Sequence, residues 1–328
     1  MTASTPNPRV TLALVVLVAL LIGANFTALK FALDHTTPLL LAGLRTVVGG
    51  TFLLGFVTLV RGERIPTDRA MLGKIFVVSL AITTISSGLL VFGVSRVSAG
   101  VASLLSSTMP LFTALLVLLL MGTRPTRLGG LGLVVGFFGT AVLAWPSLSG
   151  ETTAVGIVAL AVSALAWAFG TVFMQWRDFS DVSPVMIVAV QLPMSAAVLI
   201  PIALIVEGVD DTDWSMGLFV PLAYAAIPAN AVTFALMATI VKRAAATQAA
   251  ATAYLIPISG VFFGWLIRDE RLGTAELVGG VLVVAGVYLL VTANARAKMA
   301  ASGPRWSEPD AVSAQTSNPC RSSMVSSR

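Results

Sequence analysis

Apolar stretches of about twenty residues recur along almost the whole chain, and nothing else in it restricts the possible folds so strongly. They lie near 10–32, 38–60, 73–93, 100–121, 128–146, 154–175, 184–206, 217–240, 247–267 and 274–293. Each is long enough to cross a hydrocarbon core of about 30 Å as a helix. Within lipid every backbone N–H and C=O needs an internal partner, and a helix supplies one inside each segment. Composition agrees. Hydrophobic residues make up 57% of the 328 and charged residues 11%, against about 25% charge in a soluble domain. The mean hydropathy is +0.94. The expected fold is all-α and integral to a membrane, with about ten transmembrane helices joined by short loops.

The charges that remain are informative by position. A formal charge of +5 does not indicate nucleic acid here, because the basic residues sit in short loops between apolar runs. On one side fall Arg9, Arg61, Arg64, Arg69, Lys74, Arg124, Arg127, Arg177, Lys242, Arg243, Arg296 and Lys298. On the other fall only Lys30, Arg96, Arg268 and Arg271. This bias places the N- and C-termini in the cytoplasm of a multi-pass protein of the cell (plasma or inner) membrane. The first run is too long for a signal-peptide core and reads as a retained helix. Residues 294–328 lack apolar periodicity and are expected to form a disordered cytoplasmic tail. The single cysteine, Cys320, excludes an internal disulfide, and His35 reads as an exposed loop residue. No metal site and no cofactor are expected.

The chain repeats itself. Pro110 and Pro257 stand 147 residues apart, and the same offset pairs Arg96 with Arg243, Gly132 with Gly279 and Gly139 with Gly286. An offset one shorter pairs Pro38 with Pro184 and Arg45 with Gln191. Five helices per half is an odd number, so the second half must enter the membrane from the opposite side. The loops agree, since Arg61-Gly-Glu-Arg64 corresponds to the acidic Glu207-Gly-Val-Asp210-Asp211. Two inverted repeats, 10–146 and 154–293, are a common plan of secondary transporters, with the substrate held near mid-membrane between them.

Specific residues carry a further resemblance. The first half has Gly23-Ala24-Asn25-Phe26, Lys30, Pro38, Arg45 and the stretch from Ala99 to Pro110. The second has Ala166-Trp167-Ala168-Phe169-Gly170, Pro257 and Glu270-Arg271-Leu272. With these the chain resembles a ten-helix, EamA-domain member of the drug/metabolite transporter superfamily. The resemblance implies export of small metabolites, amino acids or drugs without ATP. One departure stands out. Where the second half has Asp269-Glu270-Arg271, the first has Gly122-Thr123-Arg124 and lacks the carboxylate.

Polar residues inside the spans are the candidates for substrate contact. Arg45 lies seven residues into its span, about 10 Å deep, where a cation is costly and marks either a function or a structural pair. Gln191 is its uncharged counterpart. Asn25 and Asn230 fall near mid-membrane, and either amide could bind substrate or join two helices. Ser103, Ser106, Ser107 and Pro110 share helical spacing, and Tyr254 replaces Ser107 in the second half. Trp167 is a mid-span aromatic, either a platform or core. Pro110, Pro228 and Pro257 are candidate hinges, since each removes a helical hydrogen bond. Lys30 and Asp34 are spaced as a structural ion pair, and the glycines 132, 139, 279 and 286 read as helix-packing surfaces.

An enzyme would need an acid/base pair, an activated nucleophile or a metal cluster within the spans. None is legible, and neither is a phosphate-binding loop for ATP. The expectation is a secondary transporter, an exporter of small metabolites such as amino acids, working by alternating access. A lipid flippase is the alternative. The expected partners are the small-molecule substrate and the lipid bilayer, with a homodimer possible and nucleic acid excluded.

Overall fold

A computed structural model of the chain describes residues 8–146, 151–233, 236–237 and 252–301, which contain helices and no strand. Helix α1 spans Pro8–Leu33. Helix α2 spans Pro38–Gly55 and is prolonged by a π-helical turn, Phe56–Val60. Helix α3 spans Arg69–Val94 and contains a π-helical stretch at Ser79–Ile85. Helix α4 spans Ala99–Met121 and is broken between Ser106 and Met109. Then follow α5, Arg127–Ala144, α6, Glu151–Trp176, and α7, Pro184–Val206. Helix α8 spans Met216–Val232 and ends in a π-helical stretch, Ile227–Val232. Helices α9, Thr252–Arg268, and α10, Thr274–Ala301, complete the described chain. Eight of the ten carry spans long and apolar enough to cross a membrane; α8 and α9 are shorter apolar helices over the described residues. This is a multi-span membrane protein.

Local chemistry sets the ends. Asp68, Ser98, Thr126 and Ser183 stand immediately before helices, and their side chains accept backbone N–H bonds from Met71, Val101, Gly129 and Met186, satisfying donors the helix leaves open. Gly122, with φ of 66°, closes α4 in the left-handed conformation that glycine adopts without strain.

The packing rests on small residues. A Cβ at Gly132 would lie 2.7 Å from the Gly286 carbonyl oxygen, and one at Gly139 would lie 2.6 Å from Leu282 Cβ. The backbones of α5 and α10 therefore touch, as the four glycines predict. Gly23 packs on Ser259 and Gly260, joining α1 to α9, and Gly50 packs on Leu192 and Pro193, joining α2 to α7. The pairings have a symmetry. Replacing each helix by the one five places along converts α1–α9 into α6–α4, α1–α8 into α6–α3, and α2–α8 into α7–α3. The pairs α2–α7, α4–α9 and α5–α10 map onto themselves.

Two expectations change. Helix α10 runs past Asn294 to Ala301, so the expected tail begins later; Ala, Arg, Lys and Met there all favour helix. The remainder of that tail, from residue 302, lies outside the described residues. The serine stripe of α4 is not one continuous face either. Pro110 has no N–H to continue the helix, and the chain turns at Ser107 and Thr108, whose hydroxyls donate to the Leu104 and Leu105 carbonyls at 2.6 Å each.

Candidate functional site

Helix α3 carries hydroxyls on its inward face, and neighbouring helices bring polar groups to them. The Ser79 hydroxyl donates to the Gln191 backbone carbonyl of α7 at 2.7 Å, and Thr84 donates to Ser195 at 3.0 Å. Ser86 and Ser163 of α6 exchange bonds of 3.1 and 2.7 Å. Further along α3, a terminal nitrogen of Arg45 from α2 donates to Ser87 Oγ.

Arg45 is only 7% exposed, and its Nε has no hydrogen-bond partner among the described residues. Nor does any carboxylate among them reach ion-pair distance; the ion pairs found are His35–Asp213, Arg61–Glu63 and Arg268–Asp34. A buried guanidinium with five donors and no counter-anion is a standing attraction for a carboxylate.

The other sequence candidates fall at several places. Gln191 is 4% exposed. It meets α3 at Ser79, two turns from Ser87, so roughly 12 Å along the axis separates it from Arg45's level. The two counterparts therefore do not form one cluster. Asn25 is 9% exposed and its Oδ1 lacks a partner among the described residues. Asn230 is half-buried in the π-helical stretch of α8, next to Pro228, whose carbonyl accepts the Thr233 hydroxyl at 3.0 Å. Trp167 is half-buried. Tyr254 lies edge-on to Tyr288 of α10, centroids 5.5 Å apart. Ser107 spends its hydroxyl on its own helix, and Pro110 opens the second half of α4. Pro257 is buried within α9, where its carbonyl accepts from Ser103 at 3.4 Å. Sequence reasoning passed over Ser79, Thr84, Ser87 and Ser195. Their signal was three hydroxyls at positions 79, 84 and 87 of α3 and one at 195 of α7, which small residues in a membrane helix easily mask.

A second group of contacts fastens one end of the bundle. Asp34 pairs with Arg268 at 2.8 Å, and His35 Nδ1 meets Asp213 at 3.0 Å. Glu207 accepts from the backbone of Leu39 at 2.9 Å and Leu40 at 3.1 Å, at the start of α2. Glu270 accepts from Ala99 at 3.0 Å and Gly100 at 3.2 Å, at the start of α4. A carboxylate at a helix N-terminus meets both open donors and the positive end of the dipole. Asp213 is held below the usual carboxylate range by hydrogen bonds from Ser215 and His35. One expectation is corrected here. Asp34 chooses Arg268 across the halves and not Lys30 one turn away, while His35 lies in the loop between α1 and α2 and bonds Asp213 there. At the opposite end Glu63 bonds Ser183, and Lys74 donates to the Asp178 carbonyl at 2.9 Å. Thr123, the counterpart of Glu270, has no carboxylate to offer.

The sequence profile described as the EamA-like transporter family matches residues 9–145 and again 154–292. An uncharacterized transporter of Bacillus subtilis, YvbV, is 28% identical over 91% of this chain and 96% of its own. A protein of Escherichia coli named "Probable amino-acid metabolite efflux pump" is 29% identical over 85% of this chain and 93% of its own. The E. coli inner membrane transporter YedA, also uncharacterized, is 28% identical over 81% and 86%. A crystal structure superposes with a TM-score of 0.63 at 17% identity, covering 89% of this chain and 99% of that one, a likeness of fold.

Proposed function

The chain belongs to the EamA-like transporter family, and on that premise we propose that it is a secondary exporter of small metabolites bearing an anionic group, amino acids or close relatives. The observation that carries the reading is Arg45, a buried cation without a carboxylate partner among the described residues. A substrate carboxylate satisfies the guanidinium in the bidentate geometry that suits it. The similarity to a protein named as an amino-acid metabolite efflux pump supports the same class.

The proposed mechanism is alternating access between two inverted five-helix halves, 10–146 and 154–293. The 147-residue offset and the exchange symmetry of the helix contacts support the two halves, and the loop charges support the inversion. The same bias supports a cytoplasmic location for both termini. Contacts at the Asp34 end would close one entrance while the other admits substrate.

The test is uptake of a panel of amino acids and organic acids into inside-out vesicles, with and without a proton gradient. Saturable uptake of a carboxylate-bearing solute, absent from vesicles lacking the protein, is expected. Uptake restricted to solutes without an anionic group would refute the Arg45 assignment.

A further inference from the structure

The π-helical stretches of α3 and α8 occupy matching places in the two halves, since the 147-residue offset carries 79–85 onto 226–232. A π turn inserts an extra residue into a helix and is frequently found at functional sites. In α3 the insertion can be followed bond by bond. Ser79 and Thr84 are five residues apart, yet their partners on α7, the Gln191 carbonyl and the Ser195 hydroxyl, are four apart with Pro193 between them. The wider turn keeps both bonds in register and leaves one residue over. That residue is Thr83.

Thr83 is 5% exposed, and its Oγ1 is buried with no hydrogen-bond partner among the described residues. Five other helical threonines satisfy themselves on a carbonyl one turn back, Thr46 on Gly43, Thr58 on Leu54, Thr113 on Met109, Thr140 on Gly136 and Thr171 on Trp167, whereas Thr27 of α1 shares Thr83's lack of a partner among the described residues. An unused buried hydroxyl is costly, about 1–3 kcal/mol, and a π turn that strands one needs a reason. The reason is not the lipid-facing side, where Val77, Leu80, Ala81 and Ile85 border an apolar groove. Thr83 lies between Ser79 and Ser87 on the inward face, one turn from the Arg45–Ser87 bond, about 6 Å along the axis.

We propose that Thr83 is a specificity-determining residue whose hydroxyl, presented by the π turn of α3, binds an uncharged polar group of the substrate while Arg45 holds its carboxylate. The proposal rests on the carrier reading above and narrows its substrate class. Around Thr83 the neighbouring bonded groups are the hydroxyls of Ser79, Thr84, Ser87 and Ser195, with no carboxylate among them. A side-chain ammonium placed at Thr83 would lack a countercharge, whereas a side-chain hydroxyl or amide pairs with Thr83 without that penalty. The favoured solutes are therefore small carboxylic acids with a neutral polar side group, ahead of their aliphatic isosteres. A site built to bond such a group discriminates far better than one that only measures size.

The experiment loads proteoliposomes with an equimolar mixture of threonine, valine, serine and alanine and follows their release by mass spectrometry. The wild-type protein should release threonine over valine, and serine over alanine, by about tenfold or more. Thr83→Val, which removes the hydroxyl at constant shape, should bring both ratios close to one while aliphatic release continues. Thr83→Ser should keep them. If Thr83→Val fails to insert, Thr83→Ala is read by the same ratios. Ratios unchanged in these variants, with release intact, would overturn the role of Thr83 and leave the carrier reading standing. Release of none of the four by the wild-type protein would overturn the substrate preference proposed for Thr83, while the vesicle panel above decides the carrier reading.

Discussion

Arg45 concentrates the chemistry of the site in one side chain, so its removal is the sharpest single-residue test. Arg45→Gln reproduces the residue that the second half holds at the matching place, keeps hydrogen-bonding capacity and removes the charge. The variant should reach the membrane in normal amount and bind substrate with apparent affinity weakened about tenfold or more, a loss of roughly 1.4 kcal/mol. Transport kinetics in vesicles measure this; unaltered constants would make Arg45 a structural residue. Arg45 could be read from sequence because a cation in an apolar run has no inconspicuous explanation. Thr83 was legible only as the counterpart of Asn230 at the 147-residue offset, and Ser87 not at all, because a hydroxyl in a membrane helix usually bonds its own backbone. Only the structure shows which ones do not. For Asn230 and Tyr254 the sequence supplied depth and not direction, and Tyr254 turns its ring to Tyr288.

Among the elements, the α5–α10 pair was the most legible, since glycines spaced by seven in both halves define facing surfaces. The steric argument now has named atoms. A Cβ on Gly139 would press on the Val283 backbone nitrogen at 2.6 Å. Gly139→Leu should destabilise the protein by at least the 1–3 kcal/mol typical of overpacking (an approximate range), seen as a lower unfolding temperature in detergent. Wild-type stability in that variant would mean that the two helices do not pack as described. The π-helical stretches were not legible at all. They depend on keeping register with a helix more than a hundred residues away, information that no local pattern contains. The break in α4 was partly legible, through Pro110, although the regular spacing of its serines suggested continuity.

For the whole molecule the apolar runs fix a ten-helix membrane bundle, and loop charge carries the prediction of its orientation. Cysteine labelling of intact cells checks that prediction. An impermeant reagent should miss Gly62→Cys in the basic loop and reach Asp211→Cys in the acidic one, and the reverse pattern would invert the topology. A second test addresses motion. Asp34 and Arg268 join α1 to α9 at the fastened end. If that end must open, Asp34→Cys with Arg268→Cys should block transport under oxidation and recover it with a reductant. Transport that continues through a completed cross-link would show that this entrance does not move.

On the alternating-access reading proposed above, the missing carboxylate at Thr123 has a kinetic meaning. Glu270 and Glu207 each hold the start of a helix at one end, while at the other Glu63 has a bond to Ser183 and Thr123 offers no charge. Unequal fastening cannot set the direction of net flux, which the solute gradients decide. It biases the resting population of the empty carrier toward one doorway. Apparent affinity scales with the fraction of molecules already open to a given side, so solute on the less fastened side would meet a ready site and solute on the other would have to wait for one. Restoring a carboxylate at Thr123 should reduce that one-sidedness without altering the thermodynamic end point.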